Sequence, residues 1–197
     1  VYIGGNADMT VRPKMVVNAT GAWAEKLSKA FEITISMKPT RGVMIAVENS
    51  MLDVVINRCR PSEDGDIIVP HEDEVVLGTT SVPVDSPEDF ETDFEEVETV
   101  LSQGYKMIPA LENDSVVRKW WGVRPLYDDT SSDSSGRDVT RGYTVMNHEI
   151  DGLSNVLSVL GGKLTTYRLM AEEASDEVCD LLGVEDAECE THNTPMR

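Results

Sequence analysis

The sequence predicts an α+β fold: an antiparallel β-sheet flanked by helices, with α/β pieces at both ends. Three observations carry that expectation. Short β-rich runs closed by turn residues fill residues 32–80. A strand entering a glycine turn and a helix stands near each end, at 16–30 and at 156–181. Between them, an amphipathic stretch follows Ser86-Pro87. Hairpin-spaced runs of this kind read as an antiparallel sheet rather than as repeated βαβ units.

Taken in order, residues 10–20 alternate loosely and end in Val16-Val17-Asn18-Ala19-Thr20-Gly21, an apolar strand running into a turn. Ala22, Trp23, Leu27 and Ala30 suit a short helix over 21–30. Strands are then expected at Glu32–Met37, Gly42–Val47, Asp53–Asn57, Asp66–Val69 and Glu74–Thr80, with turns at 48–50, 63–65 and 71–73. Ser86-Pro87-Glu88-Asp89 opens the next helix, its acids placed where the helix dipole favours them. Phe94, Val97, Val100, Leu101, Tyr105 and Ile108 continue it at helical spacing. Ser115–Trp121 returns as a strand, and 128–141 is a polar, serine-rich loop. Loops of that length in a compact domain are usually functional or mobile. The last strand, Val156–Leu160, runs into Gly161-Gly162-Lys163. A helix then shows Tyr167, Ala171, Ala174, Val178 and Leu181 on one face and stops at Gly183.

Composition narrows the function classes. The chain has 197 residues, 40% apolar and 27% charged, which suits a folded globular protein with a real core. Asp and Glu number 36 against 17 Lys and Arg, a net charge of −19. No basic stripe exists for a phosphate backbone, so nucleic acid is excluded as a partner. Direct docking on an anionic membrane surface is equally disfavoured. No run of 18 apolar residues is present, and the first residues read as a strand and turn rather than a signal peptide. Cys59, Cys179 and Cys189 form no C-x-x-C pair and no disulfide framework, which points to a reducing, cytoplasmic setting. His71, His148 and His192 share no ligand spacing, so no metal site is expected. The acids are spread over 63–66, 72–74, 88–98, 128–138, 172–177 and 185–190, a solvated shell rather than a site. Such a shell repels itself at low salt and is relieved at high salt, so a halophilic source is expected.

Four local patterns carry possible chemistry. Val156–Arg168, V-L-S-V-L-G-G-K-L-T-T-Y-R, brings a buried strand, two glycines and a helix start to one spot. Its backbone N–H groups and dipole suit an anion, with Lys163 at the mouth and Thr165 or Thr166 as cap. An ordinary tight turn with a solvent lysine is an equal reading. In Trp120-Trp121-Gly122-Val123-Arg124-Pro125-Leu126, Arg124 lies at a strand end and suits bidentate capture of phosphate or carboxylate. A surface ion pair with one of the many acids is the commoner role for such an arginine. Gly136–Tyr143 supplies a second arginine, Arg141, and Asn57-Arg58-Cys59-Arg60-Pro61 sets a cysteine between two cations. Cys59 reads either as a thiol with a lowered pKa or as a small apolar filler. There is no G-x-G-x-x-G, Walker A, H-E-x-x-H or G-x-S-x-G. Two arginine loops and a glycine–lysine turn in so acidic a chain suggest a small anionic ligand.

Taken together, V-V-N-A-T-G-A-W at 16–23, V-L-G-T-T-S at 76–81, G-V-R-P-L at 122–126, G-R-D-V-T-R-G-Y at 136–143 and G-G-K-L-T-T-Y-R-L-M-A-E at 161–172 form a series. In this order they resemble the FAD-dependent glycerol-3-phosphate dehydrogenases of the D-amino-acid-oxidase-like flavoprotein superfamily. The resemblance runs from about Met15 to Gly183, and V-I-N-R-C-R-P at 55–61 is most similar to the large subunit of the anaerobic type. It implies FAD as cofactor, with Ala19, Thr20, Gly21, Gly161, Gly162, Lys163, Leu164 and Thr165 beside it. It implies that Arg124, Arg141 and Lys163 bind sn-glycerol 3-phosphate, whose oxidation gives dihydroxyacetone phosphate and sends electrons to a quinone or respiratory acceptor. Where aerobic members carry K-G-x-H, this chain has Arg41-Gly42-Val43-Met44, so the proton acceptor is left unassigned.

The resemblance further implies membrane-associated electron-transfer partner subunits and a cytoplasmic protein peripheral to the inner face of the membrane. Residues 1–31 would belong to a FAD-binding domain, 32–150 to a substrate-binding domain, 151–184 to the returning strand and helix of the FAD-binding domain, and 185–197 to a tail. On this view the chain is an internal fragment that by itself binds FAD weakly and is inactive. The alternatives are a FAD-dependent oxidase or dehydrogenase of another small hydroxy acid or amine, or a non-catalytic anion-binding module.

Overall fold

The computed structural model describes residues 2–3, 9–48, 52–88, 93–127, 142–185 and 188–194. The chain divides into two compact units, residues 1–37 with 141–197, and residues 38–140. The expected long loop at 128–141 lies outside the described residues, and Arg141 with it.

The first unit contains a small hairpin, β1 (Tyr2–Ile3) with β2 (Met9–Thr10), and β3 (Val16–Asn18). The next segment is helical in three short pieces: a 3-10 turn at Gly21–Trp23, α1 (Ala24–Ser28) and a second 3-10 turn at Lys29–Phe31. The expected strand at 32–37 does not form as such. Ile33, Ile35 and Met37 are buried and Glu32, Thr34 and Ser36 exposed, so the two-residue period is real. It records one-sided burial of an extended segment that has no ladder neighbour among the described residues, Met37 alone making a bridge.

Later in the same unit come β10 (Tyr143–Asn147), β11 (Val156–Gly161) and α3 (Tyr167–Leu182). The sheet order is β10-β11-β3, with β10 antiparallel to β11 and β11 parallel to β3. Val156, Leu157 and Leu160 bury the middle strand. Ser158 is the polar interruption, and its hydroxyl lies 2.8 Å from His148 Nε2, whose Nδ1 lies 2.8 Å from Asp151. His148 is fully buried, so this relay ties the 3-10 turn His148–Asp151 to β11. Gly183 ends α3 as expected: it is left-handed (φ +65°), its N–H donates to Asp180 O, and Val184 N–H donates to Cys179 O.

Among the described residues, the second unit is a six-stranded antiparallel sheet with one α-helix on a face. Its strands are β4 (Thr40–Glu48), β5 (Ile56–Asn57), β6 (Ile67–His71), β7 (Glu74–Gly78), β8 (Val82–Pro83) and β9 (Val116–Arg124). The path runs β5-β6-β7-β4-β8, and β9 pairs with β4 along Thr40–Val47. The helix α2 (Phe94–Met107) begins later than expected, capped by the Asp93 carboxylate accepting from Glu95 N–H at 2.8 Å. Residues 89–92, part of the expected start, lie outside the described residues. Val43, Ile45 and Val47 of β4, Val75 and Leu77 of β7, Ile68, Leu111, and Val97 and Val100 of α2 form one buried cluster. Gly104 lets the helix come close, because a Cβ there would stand 2.7 Å from Leu77 Cδ1.

Candidate functional site

Antiparallel pairing puts Arg124 opposite Thr40 and Gly122 opposite Gly42. Side chains of alternate residues share a face. Arg124 therefore lies on the face of β4 that carries Gly42 and Met44, while Arg41, Val43 and Ile45 face α2. The guanidinium of Arg124 lies directly over Gly42: a Cβ at that glycine would meet Nη2 at 2.5 Å and Nη1 at 2.7 Å. Its Nη2 donates to Thr79 Oγ1 and to the Thr80 carbonyl, each at 3.1 Å. Thr79 and Thr80 leave the end of β7, and the Gly78–Thr79 peptide is cis. Three separate segments, 41–44, 76–81 and 122–126, thus meet around one half-buried guanidinium.

On the other face stands a buried pair that the sequence does not announce. Glu96 Oε1 accepts from Arg41 Nε at 3.1 Å and from Arg41 Nη2. Glu96 Oε2 accepts from Thr80 Oγ1 at 2.5 Å, and Thr80 Oγ1 accepts from Val43 N–H at 3.0 Å. The available signal was the helical stripe itself, since Glu96 precedes Val97, Val100 and Gly104 on the face that packs on the sheet.

Arg58 turns to Gln103 and Arg60 to Asp66, while Cys59 between them is exposed and so is no core filler. Burial alone would raise the Asp66 carboxyl. Hydrogen bonds from Arg60 and the Glu63 N–H, with the charges of Arg60 and Arg58, overcome it and hold that carboxyl below the usual range.

In the first unit, β3 and β11 run parallel, so their carboxyl ends lie side by side, the position at which open α/β sheets bind ligands. The turn after β3 is set by Asn18, which is buried. Its amide donates to Ala24 O at 2.9 Å, and its Oδ1 accepts from Thr20 Oγ1 at 2.7 Å. Gly21 is left-handed (φ +60°), and a Cβ there would meet nothing within 4 Å. Ala19 and Thr20 are exposed.

The glycines after β11 behave differently. Gly161 (φ +72°) could not accept a Cβ, which would stand 2.5 Å from Gly142 O, and Gly162 N–H donates to that same carbonyl at 2.7 Å. At Gly162 (φ +93°) a Cβ would collide with Met170 Sδ. Their missing side chains make room for the chain's own backbone and thioether. Lys163, Leu164 and Thr165 are exposed, Leu164 at 88%. Neither threonine caps α3 with its side chain. Thr166 Oγ1 instead accepts from Lys163 N–H and donates to Lys163 O, each at 3.0 Å. Tyr143, opposite Gly161, has its phenol pKa raised by its hydrogen bond to Glu173, then by burial and the charges of Glu173 and Glu172.

This contrast gives a direct test. Gly21→Ala should cost only about 1–2 kcal/mol for the left-handed conformation. Gly161→Ala adds a backbone clash that no rotamer relieves, so it should cost more than about 3 kcal/mol or prevent folding. Urea unfolding of the two variants compares them, and equal losses would refute the distinction.

A family model described as FAD dependent oxidoreductase matches residues 3–168. An anaerobic glycerol-3-phosphate dehydrogenase subunit from Haloferax volcanii is 43% identical over 188 residues, covering 94% of this chain and 32% of its own length. The anaerobic glycerol-3-phosphate dehydrogenase subunit of Haemophilus influenzae is 40% identical over 185 residues, covering 92% and 32%. The crystal structure of glycerol-3-phosphate dehydrogenase from Bacillus halodurans complexed with FAD superposes with a TM-score of 0.71 at 28% identity, over 91% of this chain and 34% of that one. The chain spans about a third of the length of the curated relatives it matches. Among the described residues, no helix is long and apolar enough to cross a membrane, and no cluster of His, Cys, Asp and Glu is arranged to hold a metal ion.

Proposed function

This chain belongs to the FAD dependent oxidoreductase family, and from that premise we propose that it is part of a dehydrogenase oxidising sn-glycerol 3-phosphate to dihydroxyacetone phosphate. The observation that carries the reading is Arg124, whose guanidinium is braced over Gly42 by Thr79 and Thr80. An arginine held in one plane by hydrogen bonds presents the planar fork that suits a phosphate. Arg141, outside the described residues, would be the second phosphate ligand.

The residues at the carboxyl ends of β3 and β11 fit a flavin. Gly21 leaves open space where a side chain would stand, and Leu164 offers an exposed apolar surface. Ala19, Thr20, Gly21, Gly161, Gly162, Lys163, Leu164 and Thr165 would hold it. When bound, FAD supplies the two-electron acceptor for the hydride leaving substrate C2. Lys163 and the first N–H groups of the turn before α3 would favour negative charge beside them. The substrate hydroxyl must also lose a proton, and Met44, on the Arg124 face of β4, cannot take it. The proposed division of labour follows the two units, with 38–140 on the substrate side. Tyr143–Asn147 belongs on the flavin side because it pairs with β11. Electron-transfer partner subunits, and through them a peripheral place on the membrane, complete the proposal. Relatives named as subunits of an anaerobic enzyme support the partner part of it.

Adding sn-glycerol 3-phosphate without oxygen to the complete protein should bleach the visible flavin band. Arg124→Ala should raise the concentration needed by about 10–100-fold, the worth of a charge-assisted hydrogen-bond pair. A flavin that stays oxidised would move the substrate to another small anion. A protein without flavin would favour the anion-binding module instead.

A further inference from the structure

Glu96 is a feature of the second unit's helix that hydrophobic packing does not explain. It stands beside Val97 and Val100 with its side chain 6% exposed, where an apolar residue would fill the space without the cost of burying an ion. Both its oxygens are committed, one to Arg41 and the other to Thr80 Oγ1. The hydroxyl of Thr80 accepts from Val43 N–H, so its own proton goes to Glu96 Oε2. That bond pins the residue whose carbonyl, on the other face of the sheet, accepts from Arg124.

We propose that Glu96 is a positioning residue for Arg124: through Thr80 it fixes the acceptors that hold the guanidinium in its plane over Gly42. The inference rests on the reading of Arg124 as the phosphate ligand. The connection is short and continuous, from carboxylate to hydroxyl, along one residue to its carbonyl, and on to the guanidinium. An amide at position 96 disturbs it while keeping the volume. With its oxygen left on Arg41, its NH2 group meets the Thr80 hydroxyl, which loses its charged acceptor and must turn its own proton elsewhere.

The test uses the complete protein carrying Glu96→Gln, alone and combined with Arg124→Ala, assayed with sn-glycerol 3-phosphate and a soluble dye acceptor. Glu96→Gln should raise KM by ~10-fold, leave kcat within about twofold, and add less than about twofold to KM once Arg124 is already alanine. Gly42→Ala, which displaces the guanidinium directly, should give the same KM-only signature. Equal effects of Glu96→Gln in both backgrounds, or a fall in kcat with KM unchanged, would overturn the proposal. If Glu96→Gln fails to fold, Thr80→Val cuts the same connection and leaves Arg41 paired with Glu96. A second readout is independent of the substrate: the Arg124 Nε–H resonance, assigned with Arg124→Lys, should shift or broaden in Glu96→Gln. An unmoved resonance refutes the positioning role. Failure of the wild-type flavin to bleach refutes only the choice of substrate.

Discussion

Glu96→Ala is expected to remove about 3–5 kcal/mol of unfolding free energy, because it breaks a buried ion pair by removing one of its members. The side chains of Arg41 and Glu96 are 8% and 6% exposed, so water cannot replace the lost carboxylate without opening the interface between α2 and β4. Thr80 would lose its acceptor in the same step, adding an unsatisfied hydroxyl to the lost ion pair. The double variant Arg41→Met with Glu96→Leu should recover most of the loss, since a packed apolar pair avoids the desolvation that the ion pair incurs. Urea unfolding of wild type, single and double variants measures all three. A single variant that loses less than about 1 kcal/mol would show that solvent reaches the pair.

The second large effect belongs to the solvent. A net charge of −19 on 197 residues places like charges within reach of one another over the whole surface. Ion pairs such as Arg118–Glu74 and Arg168–Glu172 neutralise few of the 36 acids. At 0.1 M salt the screening length is about 10 Å and repulsion between neighbouring carboxylates persists, whereas at 1 M it shrinks to about 3 Å. Moving from 0.1 M to 2 M KCl should therefore raise Tm by ~10 °C or more, a few kcal/mol for a chain of this size. Scanning calorimetry across that range checks it, and an unchanged Tm would mean that the acid shell carries no self-repulsion. The similarity to a Haloferax volcanii protein accords with the expected gain.

Much of the architecture was legible because local signals agreed with tertiary ones. The apolar runs of β4, β7 and β11 are strands, and Gly183 stops α3 through a left-handed cap. Residues 32–37 show where a sequence period stops being informative: alternation reports which side is buried and says nothing of a hydrogen-bonding neighbour. Arg124 could be singled out from its place between strand end and proline. Its support could not, because Thr79 and Thr80 are 45 and 44 residues away. Glu96 was hidden for the same reason. Its charge made it one more member of an acidic surface until its partner, 55 residues distant, was known. Ser158 was the more readable clue: a hydroxyl inside V-L-S-V-L has to be satisfied, and His148 does so from ten residues away.

The parallel pairing of Val16 with Val156 also sets an order of events during synthesis. The two residues are 140 apart in the chain (156 minus 16), and the whole of the 38–140 unit is made between them. At ribosomal speeds of about 5–20 residues per second, β3 waits roughly 7–28 s for its partner. During that interval the inserted unit, whose strands pair among themselves, has time to fold completely. Its closure shortens the effective loop that must then be ordered to bring β11 beside β3. The turn held by Asn18 is local and needs only Thr20 and Ala24, so it is available from the outset as a preformed edge onto which the last strand docks.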